Sequence, residues 1–127
     1  MTAVHVLVID DSRQTADSLA DMLRLVGCLP EVAYGPRSAI NTITRQFPAV
    51  IMLDINLPGV DGVELCRFLR RDPRTAHLPI IAMSTETQPE MVSRVAAAGA
   101  DYFLPKPITV ETLEAALATV QKGRPPR

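Results

Sequence analysis

Apolar positions along this chain follow two alternating rhythms. Short aliphatic runs read as strands at 4–9, 30–34, 50–54, 79–83 and 100–104. The run Ala49-Val50-Ile51-Met52-Leu53 is unbroken and ends on Asp54, which suits a strand buried on both faces. Pro58-Gly59 then turns the chain. Between the runs, apolar residues recur at helical spacing. Ser12 caps a first helix carrying Ala16, Leu19, Leu23 and Val26, closed by Gly27. Gly35-Pro36 opens a second to about Gln46, with Ala39, Ile40, Ile43 and Phe47 apolar. Asp61 and Glu64 have the spacing of a capping box for a third helix, which buries Val63, Leu65, Phe68 and Leu69 and stops before Asp72-Pro73. Thr87 and Glu90 repeat that spacing for a fourth helix, with Met91, Val92, Val95 and Ala96, ending at Gly99. Thr109 caps a fifth, to about Gln121, with Leu113, Leu117 and Val120 inward. Strand and helix thus alternate five times, which predicts a parallel sheet with helices on both faces and right-handed crossovers.

Length and charge narrow the picture further. The 127 residues suit one domain, expected over 1–122, with 123–127 a polar tail or the start of a linker. No run approaches the ~20 apolar residues of a membrane span. The opening residues have no basic region or small-residue cleavage site, so a signal peptide is not expected. Acidic and basic residues nearly balance, 14 against 13, which leaves no electrostatic footprint for nucleic acid or anionic lipid. Cys28 and Cys66 lack metal-ligand spacing and read as reduced, inert thiols beside or within helices, in keeping with a cytoplasmic protein.

The candidate chemistry lies at the strand ends. A lone Asp54 would read as a turn cap. However, a parallel sheet brings the ends of its strands to one edge, where ligands gather. Asp10 and Asp11 follow the first strand, Asp54 the third, Ser84 the fourth and Lys106 the fifth. Three carboxylates in a partly dry cleft repel one another and need positive charge. Lys106 supplies one. A hard divalent cation with oxygen ligands suits the remainder, and Mg²⁺ fits because it binds through one or two carboxylates and keeps waters.

Four segments carry a resemblance: Val8-Ile9-Asp10-Asp11-Ser12, Leu53 to Gly62, Ile80-Ile81-Ala82-Met83-Ser84, and Gly99 to Pro107. Together, in this order and at these intervals, they resemble the receiver domains of two-component response regulators, the CheY-like family, over essentially the whole chain. The resemblance implies the flavodoxin-like (βα)5 fold with strand order 2-1-3-4-5. It implies that Asp54 is the phosphoacceptor, forming an acyl phosphate. Asp11 would bind Mg²⁺ directly, Asp10 largely through water, and Asp54 and the backbone carbonyl of Asn56 would complete the protein ligands. Lys106 would pair with phosphoryl oxygens, Ser84 would donate its hydroxyl to another, and the Lys106-Pro107 bond would be cis. Thr85 is the other hydroxyl at hand, but the interval from Asp54 favours Ser84.

The family's switch draws the hydroxyl residue toward the phosphoryl group while an aromatic on the fifth strand turns inward. That position is Phe103 here, with Tyr102 on the opposite face. Phe103 lacks a phenol oxygen, and Pro105 replaces a small polar residue. Asn56 and Glu86 lie two residues beyond Asp54 and Ser84 and are expected to flank the attacking water and tune acyl-phosphate lifetime. The reading is a phosphorylation-dependent switch, not a turnover enzyme, charged by a histidine kinase or histidine phosphotransfer protein. It would signal to a downstream target through its fourth helix, fifth strand and fifth helix, with a homodimer possible on that face and no direct contact with nucleic acid or insertion into membrane. Two other classes compete. A phosphatase of the haloacid-dehalogenase type would carry its nucleophile on the first strand, with an acid where Asn56 stands. A flavodoxin-like cofactor binder would want a phosphate loop where Asp10-Asp11 would repel it.

Overall fold

A computed structural model describes residues 3–121, so the tail expected at 123–127 lies outside the described residues. The elements run β1 (Val4–Ile9), α1 (Arg13–Leu25), β2 (Cys28–Ala33), α2 (Pro36–Arg45), β3 (Val50–Asp54), α3 (Gly62–Arg71), β4 (Ile80–Ser84), α4 (Pro89–Ala97), β5 (Tyr102–Pro105) and α5 (Val110–Gln121). The five strands form one parallel sheet in the order β2-β1-β3-β4-β5. The CheY-like architecture expected from the sequence is therefore the one observed.

The apolar runs serve two faces at once, because successive strand residues point to opposite sides. Leu7, Ile9, Ile51, Leu53, Ile80 and Ala82 face one layer, where Ala39, Val63 and Val95 bring in α2, α3 and α4. Val6, Val8, Met52, Ile81 and Met83 face the other, against Leu19 and Leu23 of α1 and Leu113 and Leu117 of α5. Every residue of β3 and β4 is buried, so neither strand has room for a polar position before its end. Asp54 and Ser84 are those ends.

Several local expectations give way to packing. Phe47 and Phe68 remain 49% and 45% exposed, and Cys66 takes the inward position on α3 instead, fully buried. On α4 only Val95 is buried. That helix starts at Pro89 with Gln88 as its N-cap rather than Thr87, because a residue before proline is held extended and proline is at home in the first helical position. Asp61 does cap α3, accepting from the Val63 N–H at 2.9 Å, whereas Glu64 pairs with Arg67 rather than completing a capping box. Cys28 opens β2 instead of lying beside a helix, and Pro30 sits within that strand, where an edge position spares a ladder hydrogen bond. β5 begins two residues late because the Ala100 N–H still bonds back to the Val95 carbonyl and so closes α4.

At the edge of the sheet where the strands begin, Arg70 of α3 gathers the loops. Its Nε donates to the Gly99 carbonyl at 2.9 Å, and its Nη1 to the carbonyls of Ala76 and Leu78 at 3.2 and 2.6 Å. Its Nη2 donates to Asp101 at 2.8 Å, and the same Asp101 oxygen accepts from the Ile80 N–H at 2.9 Å. Composition offers no sign of this clasp.

Candidate functional site

The opposite edge collects the charged strand ends. β1 delivers Asp10, whose Oδ1 accepts from the Ser12 N–H at 3.0 Å as the chain turns into α1. β3 delivers Asp54, whose Oδ1 accepts from the Asn56 N–H at 3.0 Å. Both side chains are buried, whereas Asp11 is exposed at the rim. The three carboxylates each present an oxygen, and these lie within 4.8 Å of one another.

Lys106 reaches this cluster from the far side. Its N–H bonds the Ser84 carbonyl at 2.9 Å, which ties the loop after β5 to the end of β4. The Lys106–Pro107 peptide is cis. The ammonium donates to Asp10 Oδ2 at 2.9 Å and stands 3.4 Å from Asp54 Oδ2. One ammonium thus serves two buried carboxylates. Burial raises the Asp54 carboxyl above its usual range. The Asn56 N–H and the Lys106 charge oppose that rise, and the charge of Asp10 adds to it.

The donor set fits Mg²⁺. Three carboxylates converge, two of them dry, and among the described residues one cation, Lys106, pairs with them. Asp11, open to water, leaves space for retained waters on such an ion.

Ser84 is buried at the end of β4, and its hydroxyl donates to Asn56 Oδ1 at 2.7 Å. Asn56 Nδ2 donates in turn to Glu86 at 2.8 Å, and the Glu86 N–H donates to Ser84 Oγ at 2.9 Å. Thr85 is exposed and lines a cavity of about 410 Å³ with Lys106, Leu19, Met22 and Ile108. Phe103 packs with the core shared by α3 and α4, and Tyr102 with the core under α1 and α5. Two features escape sequence reasoning. One is the Asn56 side-chain bridge, which the shared two-residue offset from Asp54 and Ser84 hints at. The other is Gly62, where a Cβ would stand 2.5 Å from the Ile55 Cα.

The response regulator receiver domain model matches residues 6–118. The response regulator MprA of Mycolicibacterium vanbaalenii is 35% identical over 125 residues, spanning 97% of this chain and 52% of that protein. The chain thus covers about half the length of the MprA proteins it matches. Among solved structures, the Vibrio cholerae chemotaxis protein CheY4 superposes with a TM-score of 0.88 at 31% identity, covering 94% of this chain and 99% of that one. The signal receiver domain of a DNA-binding response regulator from Colwellia psychrerythraea gives 0.86 at 30% identity, covering 94% and 99%.

Proposed function

The chain belongs to the response regulator receiver family, whose members are phosphorylation-dependent switches of two-component signalling, and on that premise we propose that Asp54 is the phosphoacceptor. The observation that carries this is the setting of its carboxylate. It stands at the end of the central strand, 3.4 Å from Lys106 and beside Asp10 and Asp11.

A phosphohistidine of a histidine kinase or histidine phosphotransfer protein is the donor. An Asp54 carboxylate oxygen attacks phosphorus, the P–N bond breaks as the P–O bond forms, and the imidazole leaves with its electron pair. Phosphoryl transfer asks for alignment and charge neutralisation more than for covalent chemistry by the protein. Lys106 supplies a mobile point charge, which leaves its two carboxylates for the phosphoryl oxygens. Asp10, Asp11, Asp54 and the Asn56 carbonyl would hold Mg²⁺, which when bound neutralises phosphoryl charge. Ser84 donates its hydroxyl to a phosphoryl oxygen. Asn56 and Glu86 border the acceptor and set how readily water reaches the acyl phosphate.

The apolar cavity beside Lys106, between α1 and the loop before α5, supports docking of the donor protein there. The inward turn of Phe103 would carry the signal to a target protein, or a second copy, across α4, β5 and α5. A cavity of about 140 Å³ lined by Val92, Val95, Ala96 and Phe103 gives that face room to repack. The chain acts as a switch modified once per cycle rather than as a turnover enzyme, in the cytoplasm. Among the described residues no helix is long and apolar enough to cross a membrane.

Intact mass after incubation with acetyl phosphate and Mg²⁺ tests the acceptor. A single labile phosphoryl adduct is expected, lost when EDTA is present from the start and absent in Asp54→Asn. An adduct of equal yield in Asp54→Asn would reject the assignment.

A further inference from the structure

The Ser84 hydroxyl is already committed. It has one proton to give, and that proton goes to Asn56 Oδ1 at 2.7 Å. The orientation of the Asn56 amide is fixed from its other side. A carboxylate only accepts, so the amide nitrogen must face Glu86, where it donates at 2.8 Å. That leaves the amide oxygen for Ser84. The Glu86 N–H occupies a lone pair of the same hydroxyl at 2.9 Å. Ser84 is fully buried, so water offers no ready substitute partner.

We propose that Asn56 is a positioning residue whose side-chain oxygen latches Ser84 in the resting state, with Glu86 bracing the latch. The inference rests on the reading of Asp54 as acceptor and Ser84 as the hydroxyl that moves. Ser84 has a single proton and cannot serve Asn56 and a phosphoryl oxygen together. Engagement of the phosphoryl group therefore requires the Asn56–Ser84 bond to break. The off state is held by a specific bond, not merely left by default. Asn56 thereby acts on the switch equilibrium itself, separately from any effect on acyl-phosphate decay.

Removing the acceptor raises the population of the released state. A net hydrogen bond between neutral groups corresponds to about a five-fold change in such an equilibrium. NMR of the metal-free, unphosphorylated chain reads this directly. Amide shifts at Ser84, Thr85 and Glu86 and the Phe103 ring signals are compared with a reference, the wild-type chain saturated with Mg²⁺ and beryllofluoride. In Asn56→Ala the free spectrum is expected to move along the line toward the reference, with the engaged population up about five-fold. The double variant Asn56→Asp with Glu86→Gln keeps both bonds, since the carboxylate accepts from Ser84 and from the new amide nitrogen, so it stays near the wild-type end. Glu86→Ala moves in the direction of Asn56→Ala, by less. Asn56 and Glu86 are both exposed, and none of these changes opens a core cavity.

An Asn56→Ala spectrum that stays at the wild-type position overturns the latch, as does equal movement in the double variant. Those outcomes leave the acceptor reading standing, because the wild-type chain still responds to beryllofluoride. A wild-type chain that neither responds to beryllofluoride nor takes a phosphoryl group from acetyl phosphate removes that reading, and the latch with it.

Discussion

Arg70→Met removes a guanidinium and keeps most of the apolar stem, so its effect isolates the polar clasp from packing. At least four hydrogen bonds disappear, to the carbonyls of Gly99, Ala76 and Leu78 and to Asp101. The Arg70 and Asp101 side chains are only 11% and 20% exposed, so water restores little. At about 1 kcal/mol for each net hydrogen bond the loss is about 4 kcal/mol. Breaking a buried ion pair gives about 3–5 kcal/mol by an independent route. Some access of water favours the lower part of that range, about 3–4 kcal/mol. For a chain of 127 residues this lowers the melting temperature by about 11–15 °C. The assay is urea unfolding followed by circular dichroism at neutral pH, with the slope unchanged and the midpoint lowered. Asp101→Asn alone should cost less, since an amide oxygen still accepts from Ile80. The double variant should lose less than the sum of the two. Phosphorylation of the folded fraction should proceed at the wild-type rate, because the clasp and Asp54 lie at opposite edges of the sheet. A loss below about 1 kcal/mol would refute the picture of a dry clasp and leave Arg70 as an ordinary surface charge.

Asp54→Asn should stabilise the metal-free protein at pH 7. The folded Asp54 carboxyl lies above its ordinary value of 3.8, so the folded state holds that proton more tightly. Stability is then lost as pH rises from the ordinary value through the folded one, and the advantage of the amide should vanish below about pH 3 in urea midpoints measured with EDTA. No advantage at pH 7 would mean that Lys106 outweighs burial. In Gly62→Ala the new Cβ would lie 2.5 Å from the Ile55 Cα and 2.6 Å from its carbonyl oxygen. Relief requires the segment after Asp54 to shift, so stability should fall by about 1–3 kcal/mol and acyl-phosphate formation should slow. Stopped-flow kinetics with acetyl phosphate would detect the second effect. Lys106→Met leaves Asp10 and Asp54 without their ammonium, so the metal-free melting temperature should drop. Mg²⁺ should restore more of it in the variant than it adds to the wild type, and equal increments would show that the lysine and the ion do not compete.

The alternation of runs and helical spacing was enough to place all five strands and five helices, because binary pattern and burial agree through the central strands β3 and β4. The strand-end residues were legible for the same reason: a parallel sheet leaves its strand termini no other edge to occupy. Pattern failed where it counted apolar residues without their neighbours. Phe47 and Phe68 satisfy the helical rhythm yet remain about half exposed, while the smaller Cys66 fills the position that α3 turns inward. Thr87 lost the N-cap to Gln88 because backbone restriction ahead of Pro89 outranks side-chain capping. Arg70 and the Asn56 bridge were hidden for a different reason. Both are polar contacts between segments far apart in sequence, spanning up to 31 residues for Arg70 with Asp101 and 28 for Ser84 with Asn56; the shared offset of Asn56 and Glu86 hints that they are neighbours, but not which groups bond.

The bond between Lys106 and Asp10 joins residues 96 positions apart, the first strand to the turn after the last. During synthesis a ribosome would release Asp10, Asp11 and Asp54 long before the lysine that balances them. For most of that interval the nascent chain carries its acids without the ammonium that sits between Asp10 and Asp54 in the folded protein. The charge balance of the site is completed late, once the final strand docks beside β4. The same long loop makes the site a reporter on its own integrity. On the proposed reading, a protein truncated before residue 106, or one whose last strand has peeled away, would keep its central aspartate without the cation beside it and would not be switched on.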